Sequence, residues 1–243
     1  MAFEWSEAMV TKIVTETDTT KRFFLQVPNT TVFDFKPGQF ITLDLPIHEK
    51  RTKRWRSYSI ASAPSGDNNF ELVIVLLEGG LGTTYLFNQV KEGDTLIFRG
   101  PQGVFTLPPQ IDTNLYLICT GTGVAPFRSM VHHIAHQQIP HQDIHLIFGC
   151  RKYTDCLYGH ELKQLEQQLS GFHYHPSFSR ETEIREGAYH GYVHPIYQNL
   201  LATQSNTNAH FYICGWKDMV DEARTHLQSL GIPKEQIHFE LYG

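Results

Sequence analysis

The feature that most constrains this chain is a change of rhythm at Leu107-Pro108-Pro109-Gln110. Before it, short apolar and aromatic runs are broken at close intervals by turn residues such as Pro37-Gly38 and Glu92-Gly93. Strands are predicted over 8–14, 22–27, 40–45, 56–61, 70–77 and 94–99, with 70–77 as the centre. Strands this short and evenly punctuated predict a closed antiparallel β-barrel. After the break, apolar strands alternate with helical stretches, the pattern of a parallel sheet with helices on both faces. Strands are expected over 114–119, 144–149, 172–178, 209–214 and 237–243. Helices are expected from 127 to about 138, over 159–169, up to about 201 and up to 230. The expected organisation is therefore an antiparallel β-barrel domain, 1–108, and an α/β parallel-sheet domain, 109–243, joined by a stiff Pro-Pro linker.

Inside the barrel half, Arg54-Trp55-Arg56-Ser57-Tyr58-Ser59-Ile60 puts a cation, a phenol and a hydroxyl within four positions. Period-two alternation places Arg56 and Tyr58 on one strand face, Ser57 and Ser59 on the other. A guanidinium engages phosphate bidentately. Tyrosine offers a flat apolar face, and serine can bond a ring heteroatom. The segment reads either as a clamp for a pyrophosphate and a large planar ring or as an edge strand with an exposed arginine. Further on, Gly79-Gly80-Leu81-Gly82-Thr83-Thr84 leads into a helix expected to begin at Tyr85, capped by Thr83 or Thr84. Such a helix start offers free N–H groups and partial positive charge, which suit phosphate; the plainer reading is an ordinary capped helix. Gly100-Pro101-Gln102-Gly103-Val104-Phe105 is expected to be a tight turn leaving the last strand.

In the second half, a buried strand runs into Thr120-Gly121-Thr122-Gly123-Val124-Ala125-Pro126 and then a helix. Strand, glycine turn and helix form the general dinucleotide-binding arrangement. Pro126 stands where the third glycine of G-x-G-x-x-G would be. Arg151, in the loop after the next strand, is either a phosphate contact or a solvated loop arginine. Ser179-Arg180 follow a strand's carboxyl end, where a hydroxyl and a guanidinium suit a 2′-phosphate; an acidic residue there would bind the free 2′-OH instead. Arg185 is a second candidate cation, opposed by Glu181, Glu183 and Glu186. The pair is read as selecting NADP, with NAD as the alternative.

Composition excludes several classes. A net charge of −5 and a pI near 6.3 argue against a general nucleic-acid surface. No run is long enough for a transmembrane helix, and the first residues lack a signal pattern, so no membrane role and a cytoplasmic protein are expected. Cys119, Cys150, Cys156 and Cys214 lack C-x-x-C spacing and the close triplet of a plant-type iron–sulfur cluster. His132 and His136 stand one helical turn apart with His133 between them. No third ligand is evident, so no metal is expected.

The segments Arg56-Ser57-Tyr58-Ser59, Gly82-Thr83-Thr84, 100–105, 121–126 and Cys214-Gly215 with Met219 together resemble the ferredoxin–NADP reductase family over nearly the whole chain. The resemblance implies a six-stranded flavin barrel and an NAD(P)-binding domain. It also implies an enzyme moving a hydride from NADPH to FAD, then single electrons to a ferredoxin or flavodoxin type carrier. It assigns FAD contacts to Arg56, Ser57, Tyr58, Ser59, Gly82, Thr83 and Thr84, and nucleotide contacts to Thr122, Gly123, Arg151, Ser179, Arg180 and Met219. Ser59, near flavin N5, Cys214, beside the nicotinamide, and Glu240, the carboxylate near the reacting rings, are its catalytic candidates. The plant-type chain ends on an aromatic that covers the flavin. Here Tyr242 is followed by Gly243, which leaves that role open. The basic run 50–54 is either an attractor for an acidic carrier or a solvated loop. A monomer is expected. Two other functions share the pattern: the reductase of an oxygenase or of free flavin, and a non-enzymatic flavin-binding subunit.

Overall fold

The computed structural model describes residues 4–203 and 208–242. It divides into two compact units, residues 1–106 with 128–133, and residues 107–127 with 134–243. Among the described residues, no helix is long and apolar enough to cross a membrane.

The first unit contains β1 (Ser6–Thr17), β2 (Thr20–Gln26), β3 (Phe40–Asp44), β4 (Trp55–Ser59), β5 (Asn69–Val75), α1 (Leu81–Asn88) and β6 (Thr95–Gln102). The strands pair antiparallel in the order β4-β3-β6-β1-β2-β5. The two ends of this sheet meet just past β4. Ile60 bridges Leu72, and the Ala61 N–H donates to the Glu71 carbonyl at 2.8 Å. Closure removes the exposed edges that an open sheet would leave. Phe23, Leu25, Ile41, Leu43, Leu72 and Phe98 fill the interior, and Leu86 of α1 joins them. Glu71 is 3% exposed and lies 2.6 Å from Arg22 and 3.2 Å from Arg128, so this buried carboxylate is paired on two sides.

Three expectations need correction here. β5 is an end strand of the sheet, hydrogen-bonded to β2 and bridged to Ile60, and not its centre. β6 continues through Gly100 and Pro101 to Gln102, which pairs with Phe40, so the turn begins only at Gly103, where φ is +107°. The helix begins at Leu81, with Gly80 as N-cap in extended geometry and no side-chain cap. Thr83 bonds backward instead: its hydroxyl donates to the Gly80 carbonyl at 3.1 Å and accepts from the Leu77 N–H at 3.1 Å. Threonine's hydroxyl can serve a turn as readily as a cap.

The second unit contains β7 (Asn114–Thr120), the two ends of α2 (Val124–Gln137), whose residues 128–133 fall in the first unit, β8 (Ile144–Cys150), α3 (Gly159–Gln168), β9 (Phe172–Phe178), β10 (Tyr189–His190), α4 (His194–Thr203), β11 (Ala209–Trp216), α5 (Lys217–Ser229) and β12 (Ile237–Tyr242). Six strands run parallel in the order β10-β9-β8-β7-β11-β12. Leu115, Leu117 and Leu146 are as fully buried as their neighbours Tyr116, Ile118 and Ile147, so both sheet faces are covered. Residues of α4 and α5, among them Ile196, Tyr197, Val220 and Leu227, pack over Tyr116, Ile118, Phe211 and Ile213. Helix α2 starts at Val124, earlier than expected, because Gly123 already has helical dihedrals and a proline is tolerated in a first turn. The two-residue strand β10 was not anticipated; a pair of residues carries no readable period.

Candidate cofactor sites in the two units

In the first unit, the β3–β4 ladder sets the candidate residues. Arg56 lies opposite Leu43, Ser57 opposite Thr42, Tyr58 opposite Ile41 and Ser59 opposite Phe40. The alternation puts Arg56 and Tyr58 on one face, as expected. Arg56 donates through one terminal nitrogen to the carbonyls of Lys53 (3.1 Å) and Trp55 (2.8 Å). Its stem lies over the start of α1: a Cβ on Gly82 would come within 2.9 Å of Arg56 Cγ and 3.1 Å of Nε. A glycine is required for that approach, and it brings the guanidinium beside a helix N-terminus that no side chain caps. Guanidinium and helix terminus are both positive, a combination that suits an anion. Thr84 is exposed on the first turn, and its N–H donates to the Gly80 carbonyl.

Tyr58 packs against the barrel core. Burial pushes its phenol up to about 12, opposed in smaller measure by Arg56, so the ring stays neutral. Ser57 shares a 3.0 Å hydroxyl contact with Thr42, which fixes it on the opposite face. Ser59 is 5% exposed, the most enclosed of the four. The basic run 50–54 is partly neutralised: Arg51 and Arg54 lie 3.3 and 2.7 Å from Asp44.

The second unit builds its site from backbone. A short 3-10 turn, Gly121–Gly123, joins β7 to α2. A Cβ on Gly123 would run into the carbonyl of Cys214 and come within 3.0 Å of Gly215 Cα. Gly215, at φ +148°, leaves no more room: its Cβ would strike the Thr120 hydroxyl and lie 3.0 Å from Met219 Cε. The glycine turn and the end of β11 are thus in contact main chain to main chain, with Thr122 half-buried on the turn and Met219 at the start of α5. The Thr120 hydroxyl oxygen is buried without a hydrogen-bond partner in the protein. Its place just before the glycines is the sequence signal that points to Thr120.

The parallel register of β11 and β12 pairs Cys214 with Glu240, Gly215 with Leu241 and Trp216 with Tyr242. The three C-terminal candidates Cys214, Glu240 and Tyr242 are therefore neighbours. Cys214 is fully buried, and burial, then the Glu240 charge, raises its thiol far above the usual range, with a Tyr242 hydrogen bond opposing. It is a neutral thiol, not a nucleophile. Gly243 lies outside the described residues.

Arg151, Ser179 and Arg180 gather at the carboxyl edge of β8 and β9. The Arg180 N–H donates to the Arg151 carbonyl at 2.9 Å, and the Ser179 N–H to the Cys150 carbonyl at 3.1 Å. Arg151 and Arg180 are exposed. Of the opposing acids, Glu181 accepts the Tyr153 N–H at 2.7 Å. Arg185 lies over the Tyr153 ring, 4.1 Å from its centroid. Tyr153 organises this loop, its N–H held by Glu181 and its hydroxyl accepting the Arg185 N–H at 2.7 Å.

An oxidoreductase FAD-binding domain model matches residues 7–107, and an oxidoreductase NAD-binding domain model matches residues 117–225. Ferredoxin–NADP reductase B of Sorangium cellulosum is 34% identical over 214 residues, covering 86% of both chains. The anthranilate 1,2-dioxygenase electron transfer component of Acinetobacter baylyi is 33% identical over 211 residues, covering 86% of this chain and 58% of that protein. A solved ferredoxin NADP+ reductase from Neisseria gonorrhoeae, with bound FAD and NADP, superposes with a TM-score of 0.79 at 25% identity over 98% of both chains.

Proposed function

The chain belongs to the ferredoxin–NADP reductase family of FAD- and NAD(P)-binding oxidoreductases, and from that premise we propose that it takes reducing equivalents from NADPH and delivers them singly to a ferredoxin or flavodoxin type carrier. FAD, when bound, supplies the conversion of a two-electron reductant into one-electron steps. The chain's own residues supply grip, orientation and shelter from water.

The observation that carries the reading is the placement of Arg56 over Gly82 at the uncapped start of α1. Two positive elements there suit a pyrophosphate, with Thr83 contributing its main-chain N–H and Thr84 its exposed hydroxyl. Tyr58 offers a ring face that stays neutral, Ser57 is oriented by Thr42, and Ser59 provides a sheltered hydroxyl for a ring nitrogen. In the second unit, Thr122 and Gly123 bring N–H groups close to a nucleotide phosphate. Arg151, Ser179 and Arg180 meet the 2′-phosphate, and with Glu181 held by Tyr153 the loop favours NADPH over NADH. Cys214 acts by size and position as a neutral thiol, flanked by Met219 and by Tyr242. Glu240 beside it can hold or pass a proton. We place the domain boundary at 108/109 and assign a monomer.

A second reading makes the chain the reductase of an oxygenase. It is favoured by the 33% identity to a dioxygenase electron transfer component. Anaerobic titration of the purified yellow protein, first with NADPH and NADH and then with candidate carriers, separates the readings. Bleaching by NADPH and fast reoxidation by ferredoxin or flavodoxin is the expected result. Bleaching without transfer faster than to free flavin would remove the carrier assignment.

A further inference from the structure

Helices α4 and α5 share one buried core, to which α4 gives Ile196, Tyr197 and Leu201 and α5 gives Val220, Ala223 and Leu227, and they touch through Tyr197 and His226. At one end of this seam stand His194, Glu222 and His226, whose ligand-type atoms all lie within 4.8 Å of one another. His194 Nε2 is 3.4 Å from one Glu222 oxygen, and His226 Nε2 is 3.9 Å from the other. Both rings turn their other nitrogen to a single hydroxyl: His194 Nδ1 is 3.0 Å, and His226 Nδ1 3.1 Å, from the oxygen of Tyr197. Tyr197 is fully buried, and the Gln198 side-chain amide lies 3.2 Å from the same His226 nitrogen.

An ordinary ion pair requires one histidine facing the carboxylate. Here two imidazoles aim the same ring nitrogen at one carboxylate, and an enclosed tyrosine braces both from behind. Outer partners on the second ring nitrogen are what orient and fix the tautomer of metal-bound histidines. Tetrahedral zinc, with bonds of about 2.0–2.1 Å, sets its ligands roughly 3.3 Å apart, so small side-chain rotations close the set. Glu222 is 55% exposed, which leaves a path for the ion and room for a water.

We propose that His194 Nε2, His226 Nε2 and the Glu222 carboxylate bind one divalent zinc-class ion, with water as fourth ligand, and that the ion staples α4 to α5. Nitrogen ligands disfavour magnesium and calcium, whereas imidazole with carboxylate suits zinc. In the bound form both Nδ1 atoms carry protons. Tyr197 accepts from both, and Gln198 turns its amide oxygen toward His226.

The test uses the FAD-loaded protein, stripped with chelator and titrated with zinc by calorimetry, with the melting temperature followed in parallel. One zinc per chain and a melting temperature that rises with zinc concentration are expected. Cobalt in place of zinc should add tetrahedral visible bands to the difference spectrum. E222Q and H226Q lie on the exposed side and should each weaken zinc binding at least about 100-fold with flavin content unchanged. Y197F should weaken it about 10- to 100-fold, the usual effect of losing an outer partner. No saturable uptake by the unsubstituted chain, or uptake that survives both E222Q and H226Q, overturns the proposal.

Discussion

Arg56 approaches Gly82 with a side chain, whereas Gly123 meets Cys214 main chain to main chain. Both contacts need a glycine, but they differ in what can yield. A guanidinium on a flexible stem can swing aside by a rotamer change, while a strand carbonyl held in a parallel ladder cannot move without its neighbours. The first unit's contact is therefore adjustable, and the second unit's is rigid.

The sharpest way to break that contrast is G123A, whose methyl must displace the Cys214 carbonyl. Overpacking against fixed atoms costs about 1–3 kcal/mol. NADPH-dependent turnover should fall about 100-fold in kcat/KM while the protein keeps its flavin. Turnover within a few-fold of the parent would show that the backbone contact is not rigid. R56Q removes a charged donor worth about 1.5–3 kcal/mol, so FAD affinity by fluorescence titration should drop by about 30-fold. Equal affinity would remove Arg56 from the FAD contacts. R180A should lower kcat/KM for NADPH by about tenfold and leave NADH unchanged, since only the former carries the extra phosphate. A parallel loss with both nucleotides would assign Arg180 a structural task. G82A presses on a movable stem and should weaken FAD by only about threefold, in the range of a small rotamer penalty. A loss as large as that of R56Q would erase the distinction between the two contacts.

The strands were readable because their apolar runs and turn residues agree, as in 172–178, which β9 reproduces end to end. The glycine turn between β7 and α2 is readable too, since glycine spacing is a local signal. The start of α1 was misread because threonine before an apolar triplet is a common cap signature, and only the fold reveals that Thr83 bonds back to Leu77 and Gly80. The Gly-Pro composition of 100–105 predicts a turn, yet pairing with Phe40 holds the chain in β6 as far as Gln102. Tertiary pairing overrode local preference in β6, whereas at α1 one local hydrogen bond took the place of another. The His194, Glu222 and His226 cluster has no sequence signature because its members lie on two helices separated by β11, whereas His132 and His136 stand one turn apart on a single helix.

The enclosure of Cys214 carries one more consequence. Reduced flavins make peroxide when they meet dioxygen, and peroxide attacks thiolates far faster than thiols. A sulfur held uncharged inside a sheet is therefore guarded against such by-products. Alkylating or oxidising reagents should leave it untouched for as long as β11 and β12 stay zipped together.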